Sequence, residues 1–173
     1  DLLAEDLVRD LVLAAHGAPD ALAIWCMVET PRGVLGAPAV AAASRRVVAL
    51  VAGTSDLAKE LGARSTRDRS ALATSLGLVV LAARAHGLAA LDGVHLDLDD
   101  EDGLRAACRQ GRDMGFDGKT LIHPKQIAAA NEVFAPAPAD VDWARRVIDA
   151  HARAVADGRG VVLGDGELTA MAE

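Results

Sequence analysis

The chain has 173 residues, 51% apolar and 25% charged, a composition that suits a globular domain with its own core rather than a disordered segment. Its net charge of −7 argues against a nucleic-acid surface, and with two Trp, two Phe and no Tyr it offers few platforms for stacking bases. The longest apolar runs, such as LGLVVLAA, fall far short of the roughly 20 residues that span a membrane.

Residues 2–16 carry Leu2, Leu3, Leu7, Leu11 and Leu13 near helical spacing, closed by Gly17, and read as an amphipathic helix rather than a signal peptide. ALAIWCMVE (21–29) reads as a strand buried on both faces, because its apolar character is continuous. GAPAVAAASRR (36–46) reads as a short helix, and VVALVAG (47–53) as the second strand. Ser55 is the expected N-cap of the helix DLAKELG, with Gly62 as its stop. STRDRSALATSLGLVVLAARAHG (65–87) reads as one long helix and LAALDGVHLDL (88–98) as the third strand. DDEDGLRAACRQGRDMG (99–115) is a helix with acids at its start and bases later, as the helix dipole prefers. FDGKTLIHP (116–124) is the fourth strand. PKQIAAANEVF and PADVDWARRVIDAHARAVADG are two more helices, and the tail holds one short strand. Cys26 and Cys108 have neither CxxC nor metal-finger spacing and are expected to be reduced structural thiols in a cytoplasmic protein.

Strands alternating with helices imply a parallel α/β sheet, either doubly wound or part of a (β/α) barrel. Neither GxGxxG nor GxxxxGK[ST] occurs, which weakens a nucleotide-binding assignment. In either architecture active sites gather at the carboxyl ends of the strands. Glu29 in VETPRG and Asp56 in GTSDLAKEL each stand just past such an end, 27 residues apart. Two carboxylates on neighbouring strands repel unless a cation compensates, and with no histidine beside either one, Mg²⁺ suits them better than zinc. The turn Gly53, Thr54, Ser55, Asp56 opens a helix, so the N–H groups of Ser55 and Asp56 form a candidate anion site for a substrate carboxylate. The structural alternative is that Glu29 pairs with Arg32 and Asp56 only caps its helix. His123 is expected to orient a loop. Lys119 is read as solvated or as a contact for a CoA phosphate. His95 and Asp97 are read as strand-end polar groups, and Arg45, Arg46, Arg67, Arg69 and Arg84 as surface or structural pairs.

VETPRG, GTSDLAKEL, LDGVHLDLDDEDGL, GFDGKTLIHPKQI and ANEVFAPAPADVDWARRVIDA, in that order, resemble the citrate lyase β-subunit-like proteins of the HpcH/HpaI aldolase and citrate lyase superfamily. The resemblance implies a TIM (β/α)8 barrel, of which this sequence carries the last four βα units (1–135) followed by a C-terminal helix and partial lid segment (136–173). It implies Mg²⁺ held by Glu29 and Asp56 as the catalytic pair, and a keto-acid carboxylate held at Gly53, Thr54, Ser55 and Asp56. The implied reaction is cleavage or formation of a C–C bond between an acyl-CoA and a keto acid, in a cytoplasmic homo-oligomer, trimer or hexamer. Alternatives are a class II aldolase acting on free hydroxy-keto acids, or a non-catalytic barrel subunit. Where relatives carry a lid Asp within a segment like DGKMID, this chain has DGELTA, with Ala170 in that place.

Overall fold

The computed structural model describes residues 22–156, 162–164 and 167–169. The helix expected over 2–16 and the lid position Ala170 lie outside them. The chain divides into a unit that ends at Phe134 and a second that begins at Ala135.

The first unit is built on four parallel strands in the order β1 (Ile24–Val28), β2 (Val47–Ala52), β3 (Ala89–Asp92) and β4 (Gly118–Lys119). The register aligns Val28 with Ala52, Leu50 with Ala90, and Asp92 with Lys119. Period-2 alternation then decides what each residue does. Cys26, Val28, Leu50, Ala52 and Ala90 join one buried cluster with Val34, Val40, Leu57, Leu76, Val79 and Ala83 from the helices. Leu50, Leu57 and Leu76 are fully buried, and each such side chain contributes about 1.5–3 kcal/mol. Trp25 and Met27 alternate with the buried residues of β1 and are exposed.

Helices α1 (Pro31–Leu35) and α2 (Ala37–Ala42) follow β1, and α3 (Thr54–Glu60) follows β2. After a 3₁₀ turn at Ser70–Leu72, α4 (Ala73–Ala85) returns to β3; α5 (Glu101–Met114) joins β3 to β4, and α6 (Ile127–Phe134) closes the unit. Leu104 and Cys108 of α5 pack on Ala129, Ala130 and Val133 of α6 as a second cluster. In the second unit, α7 (Pro138–Ala156) precedes an antiparallel pair, β5 (Val162–Gly164) and β6 (Glu167–Thr169). Among the described residues no helix is long and apolar enough to cross a membrane.

Several expected boundaries move. The helix expected over 65–87 starts only at Ala73, because Arg69 adopts a left-handed φ of 51° that no α-helix accommodates. The helix expected at 36–46 is shorter, Ala37–Ala42, and an unexpected helix, Pro31–Leu35, precedes it and meets it at Gly36. Regular pairing in the third strand stops at Asp92, and the fourth keeps only two paired residues. The tail forms two strands rather than one; the Asp-Gly dipeptide between them is a hairpin signal that a single-strand reading overlooks.

Candidate active site

Glu29 follows Val28 at the end of β1 and is half-buried. Its alternation places it on the face of Trp25 and Met27. A Cβ built on Gly53 would lie 2.4 Å from Glu29 Cβ, 2.8 Å from Glu29 Oε2 and 3.2 Å from Met27 Cγ. Gly53 has an ordinary φ of −84°, so space rather than backbone conformation demands glycine here. Its missing side chain is what lets the Glu29 carboxylate lie across the end of β2, and the Gly53 N–H donates to Val28 O at 2.9 Å.

Gly53 is also the N-cap of α3, which corrects the expected cap at Ser55: the helix starts at Thr54, and Ser55 is its second residue. The reason is that Gly53 O already accepts from Leu57 N at 3.0 Å, closing the first helical turn one residue pair earlier. By helix geometry the N–H groups of Thr54, Ser55 and Asp56 have no acceptor within the helix. Thr54 is buried, whereas Ser55 and Asp56 are exposed. Asp56 stands in the first turn, where the helix dipole favours a carboxylate. The Glu29 carboxylate therefore lies beside the N-terminus of the helix that carries Asp56. No ion pair among the described residues takes up either carboxylate.

The sequence reading missed the most heavily bonded group of the strand ends. Asp92 ends β3 fully buried. Arg69 Nη1 lies 2.8 Å from both of its oxygens, Lys119 Nζ donates to Oδ2 at 2.7 Å, and Gly93 N–H donates to Oδ1 at 2.8 Å. Arg69 also bonds Gln110 Oε1 through Nε and Ala107 O through Nη2. Lys119 is thus neither solvated nor free for a CoA phosphate: its side chain is fully buried on Asp92. Burial holds its ammonium below the ordinary lysine range; the Arg69 guanidinium pushes the same way and Asp92 opposes. The signal in the sequence was an acid ending an apolar strand, LAALD, which is the pattern that singled out Glu29.

His123 caps the 3₁₀ turn Pro124–Gln126, its Nδ1 accepting from Lys125 N–H at 3.2 Å, the loop-orienting role expected of it. His95 and Asp97 lie in the loop after β3; Asp97 accepts from Asp99 N–H, and His95 Nε2 is buried with no hydrogen-bond partner. Asp100 caps α5 through Gly103 N–H and takes Arg67 at 2.7 Å. Arg84 pairs with Asp117 at 2.8 Å, and that hydrogen bond holds the Asp117 carboxyl below the usual range. Both cysteines are free and buried, and burial raises both thiols.

The first unit is thus a parallel α/β sheet with Glu29 and Asp56 just past the carboxyl ends of β1 and β2 and Asp92 at the end of β3. The family described as HpcH/HpaI aldolase/citrate lyase matches residues 4–124, and the chain belongs to that family. The (3S)-malyl-CoA thioesterase of Cereibacter sphaeroides (strain ATCC 17029 / ATH 2.4.9) is 53% identical over 159 residues, 92% of this chain and 55% of that protein. The L-malyl-CoA/beta-methylmalyl-CoA lyase of Rhodobacter capsulatus is 31% identical over 189 residues, 99% of this chain and 59% of that protein. Among solved structures, CitE from Mycobacterium tuberculosis in complex with magnesium, acetoacetate and coenzyme A superposes with a TM-score of 0.70 at 32% identity, covering 94% of this chain and 67% of that one. The chain spans little more than half the length of these curated relatives.

Proposed function

We propose that this chain carries the metal- and substrate-binding face of a Mg²⁺-dependent enzyme acting on the CoA thioester of a 3-hydroxy dicarboxylic acid. The observation that carries the reading is the Glu29 carboxylate lying over Gly53, at the start of the helix that bears Asp56. The donor chemistry fits the ion: two hard carboxylates suit a cation that takes one or two protein carboxylates and leaves its other positions to water and substrate. Glu29 and Asp56 would hold Mg²⁺, which when bound supplies Lewis-acid polarisation of the substrate's oxygens. The first-turn amides of Ser55 and Asp56, with Gly53 and Thr54 shaping the turn, would orient the carboxylate of the keto acid.

The reaction we favour is C–C cleavage, supported by the aldolase/citrate lyase family match and the likeness to a malyl-CoA lyase. The hydroxyl loses its proton, the bond between the carbinol carbon and the carbon next to the thioester breaks, and its electron pair becomes the enolate of the acyl-CoA, which is then protonated. The products are an acyl-CoA and a keto acid. A second reading is hydrolysis of the same thioester, favoured by the greater identity to a malyl-CoA thioesterase than to a lyase. Incubation of the complete protein with (3S)-malyl-CoA and Mg²⁺ separates the two. Cleavage yields glyoxylate, trapped as a hydrazone, with no free thiol; hydrolysis yields free CoA thiol and malate. Neither product, together with no Mg²⁺-dependent oxalate binding by calorimetry, would leave a non-catalytic subunit as the better account. The same reading places the enzyme in the cytoplasm as a homo-oligomer, with its four strands forming part of a closed barrel.

A further inference from the structure

We infer that Arg69, Asp92 and Lys119 are positioning residues that fix the start of α3, and with it the approach of Asp56 to Glu29. The helix cannot fix itself. It has only seven residues, its N-cap is a glycine with no side-chain hydrogen bond, and short helices gain little from their own hydrogen bonds. Its apolar anchor is Leu57, fully buried in the core. Its first residue is held from outside: a Cβ on Gly93 would lie 2.3 Å from Thr54 Oγ1 and 2.5 Å from Ala52 O, so the backbone past β3 rests directly on Thr54. Gly93 is in turn held by its N–H on Asp92 Oδ1, and Asp92 is held by Lys119 and Arg69. Helix α5 closes the other side, since a Cβ on Gly111 would lie 2.8 Å from Asp92 Oδ2.

The segment that follows α3 returns to the same group. The chain leaving it runs through 61–68 to Arg69, the one non-glycine residue with positive φ among the described residues. That conformation is strained for a residue with a side chain and persists only where surroundings enforce it; here Gln110, Ala107 and Asp92 all hold the guanidinium. Two buried cations on one carboxylate are not a means to stability alone, because an apolar replacement of such a group is often at least as stable. The first residue of the helix that carries Asp56, and the turn that follows the helix nine residues on, are thus tied to one buried carboxylate.

The test needs a readout that does not depend on the proposed reaction. Hydrogen exchange across residues 54–60 is that readout, with the amides of β1 as internal control. Lys119→Met is the first variant, and Asp92→Asn/Lys119→Met, which keeps the same net charge in the cluster, is the second in case the first folds poorly. Expected are exchange at least about 10-fold faster at 54–60 with β1 unchanged, and Mg²⁺–oxalate affinity and kcat lowered about 10-fold or more while KM for the thioester changes little. Parental exchange at 54–60 in a folded variant overturns the inference, even if its melting temperature falls. If the parent protein itself binds no Mg²⁺ and oxalate, the proposed function fails, and the exchange result still decides the positioning role on its own.

Discussion

At residue scale, the site turns on what Gly53 lacks. A methyl there would overlap Glu29 Cβ and crowd its carboxylate, so one of the two must move. Gly53→Ala should cost about 1–3 kcal/mol of stability through overpacking and weaken Mg²⁺ binding, checked by thermal unfolding and calorimetry on the same sample. Glu29→Gln keeps the shape and removes the charge. It should leave the melting temperature nearly unchanged and lower kcat about 10²-fold or more, which steady-state kinetics with saturating Mg²⁺ reads directly. Lys119 supports a prediction about pH. Its folded pKa lies below its unfolded one, so between the two the unfolded chain binds more protons. Stability from this group therefore rises with pH across that window, whose upper end is the ordinary lysine value of about 10.4. Urea unfolding between about pH 8 and about pH 10 should show a shallower dependence in Lys119→Met than in the parent.

At the scale of elements, α5 shows how much of the fold could be read from residues. Its acidic start, its later bases and its glycine stop all appear in DDEDGLRAACRQGRDMG. The structure bears each out: Asp100 caps the helix, Glu101 and Asp102 occupy the first turn, and Gly115 ends it at φ 98°. Asp100→Ala should lower stability by about 1 kcal/mol through the lost cap. Loss of the Arg67 ion pair adds little, because Arg67 is well exposed. Denaturant titration gives the value, and a change within error would mean that another group takes over the Gly103 amide. What could not be read is where tertiary contacts override local pattern. STRDRS (65–70) holds no Gly or Pro that would break a helix ahead of the apolar stretch from Ala71, yet the chain turns at Arg69, where three acceptors on α5 and β3 hold the guanidinium. The third and fourth strands look longer in sequence than their ladders are, since apolar residues continue past the last paired position. For the candidate site, the strand-end rule put Glu29 just past β1, where the structure has it. The same rule applied to LAALD would have found Asp92, but nothing local says that Lys119 and Arg69 converge on it from far along the chain.

At the scale of the whole molecule, the sheet itself poses the remaining question. Parallel sheets are covered on both faces and do not leave apolar edges in water. Here β1 pairs only with β2 among the described residues, and its Trp25 and Met27 are 62% and 58% exposed on the face that also carries Glu29. Two large apolar side chains exposed side by side on one strand face suit a surface that something covers. The curated relatives are nearly twice as long as the matched segment, and a barrel needs more strands than four to close. On the proposed reading, further strands cover this face in the complete protein and seal the Glu29 side of the site from bulk water, which strengthens every charge interaction within it. Tryptophan fluorescence tests this without any substrate. With Trp143, itself half exposed, replaced by Phe, Trp25 is the sole indole among these 173 residues. In a protein whose remaining sequence contains no Trp, or has had it replaced, Trp25 should emit to the blue and resist acrylamide. Red-shifted, freely quenched emission would mean that β1 is an open edge and that the carboxylate pair works, if at all, in contact with solvent.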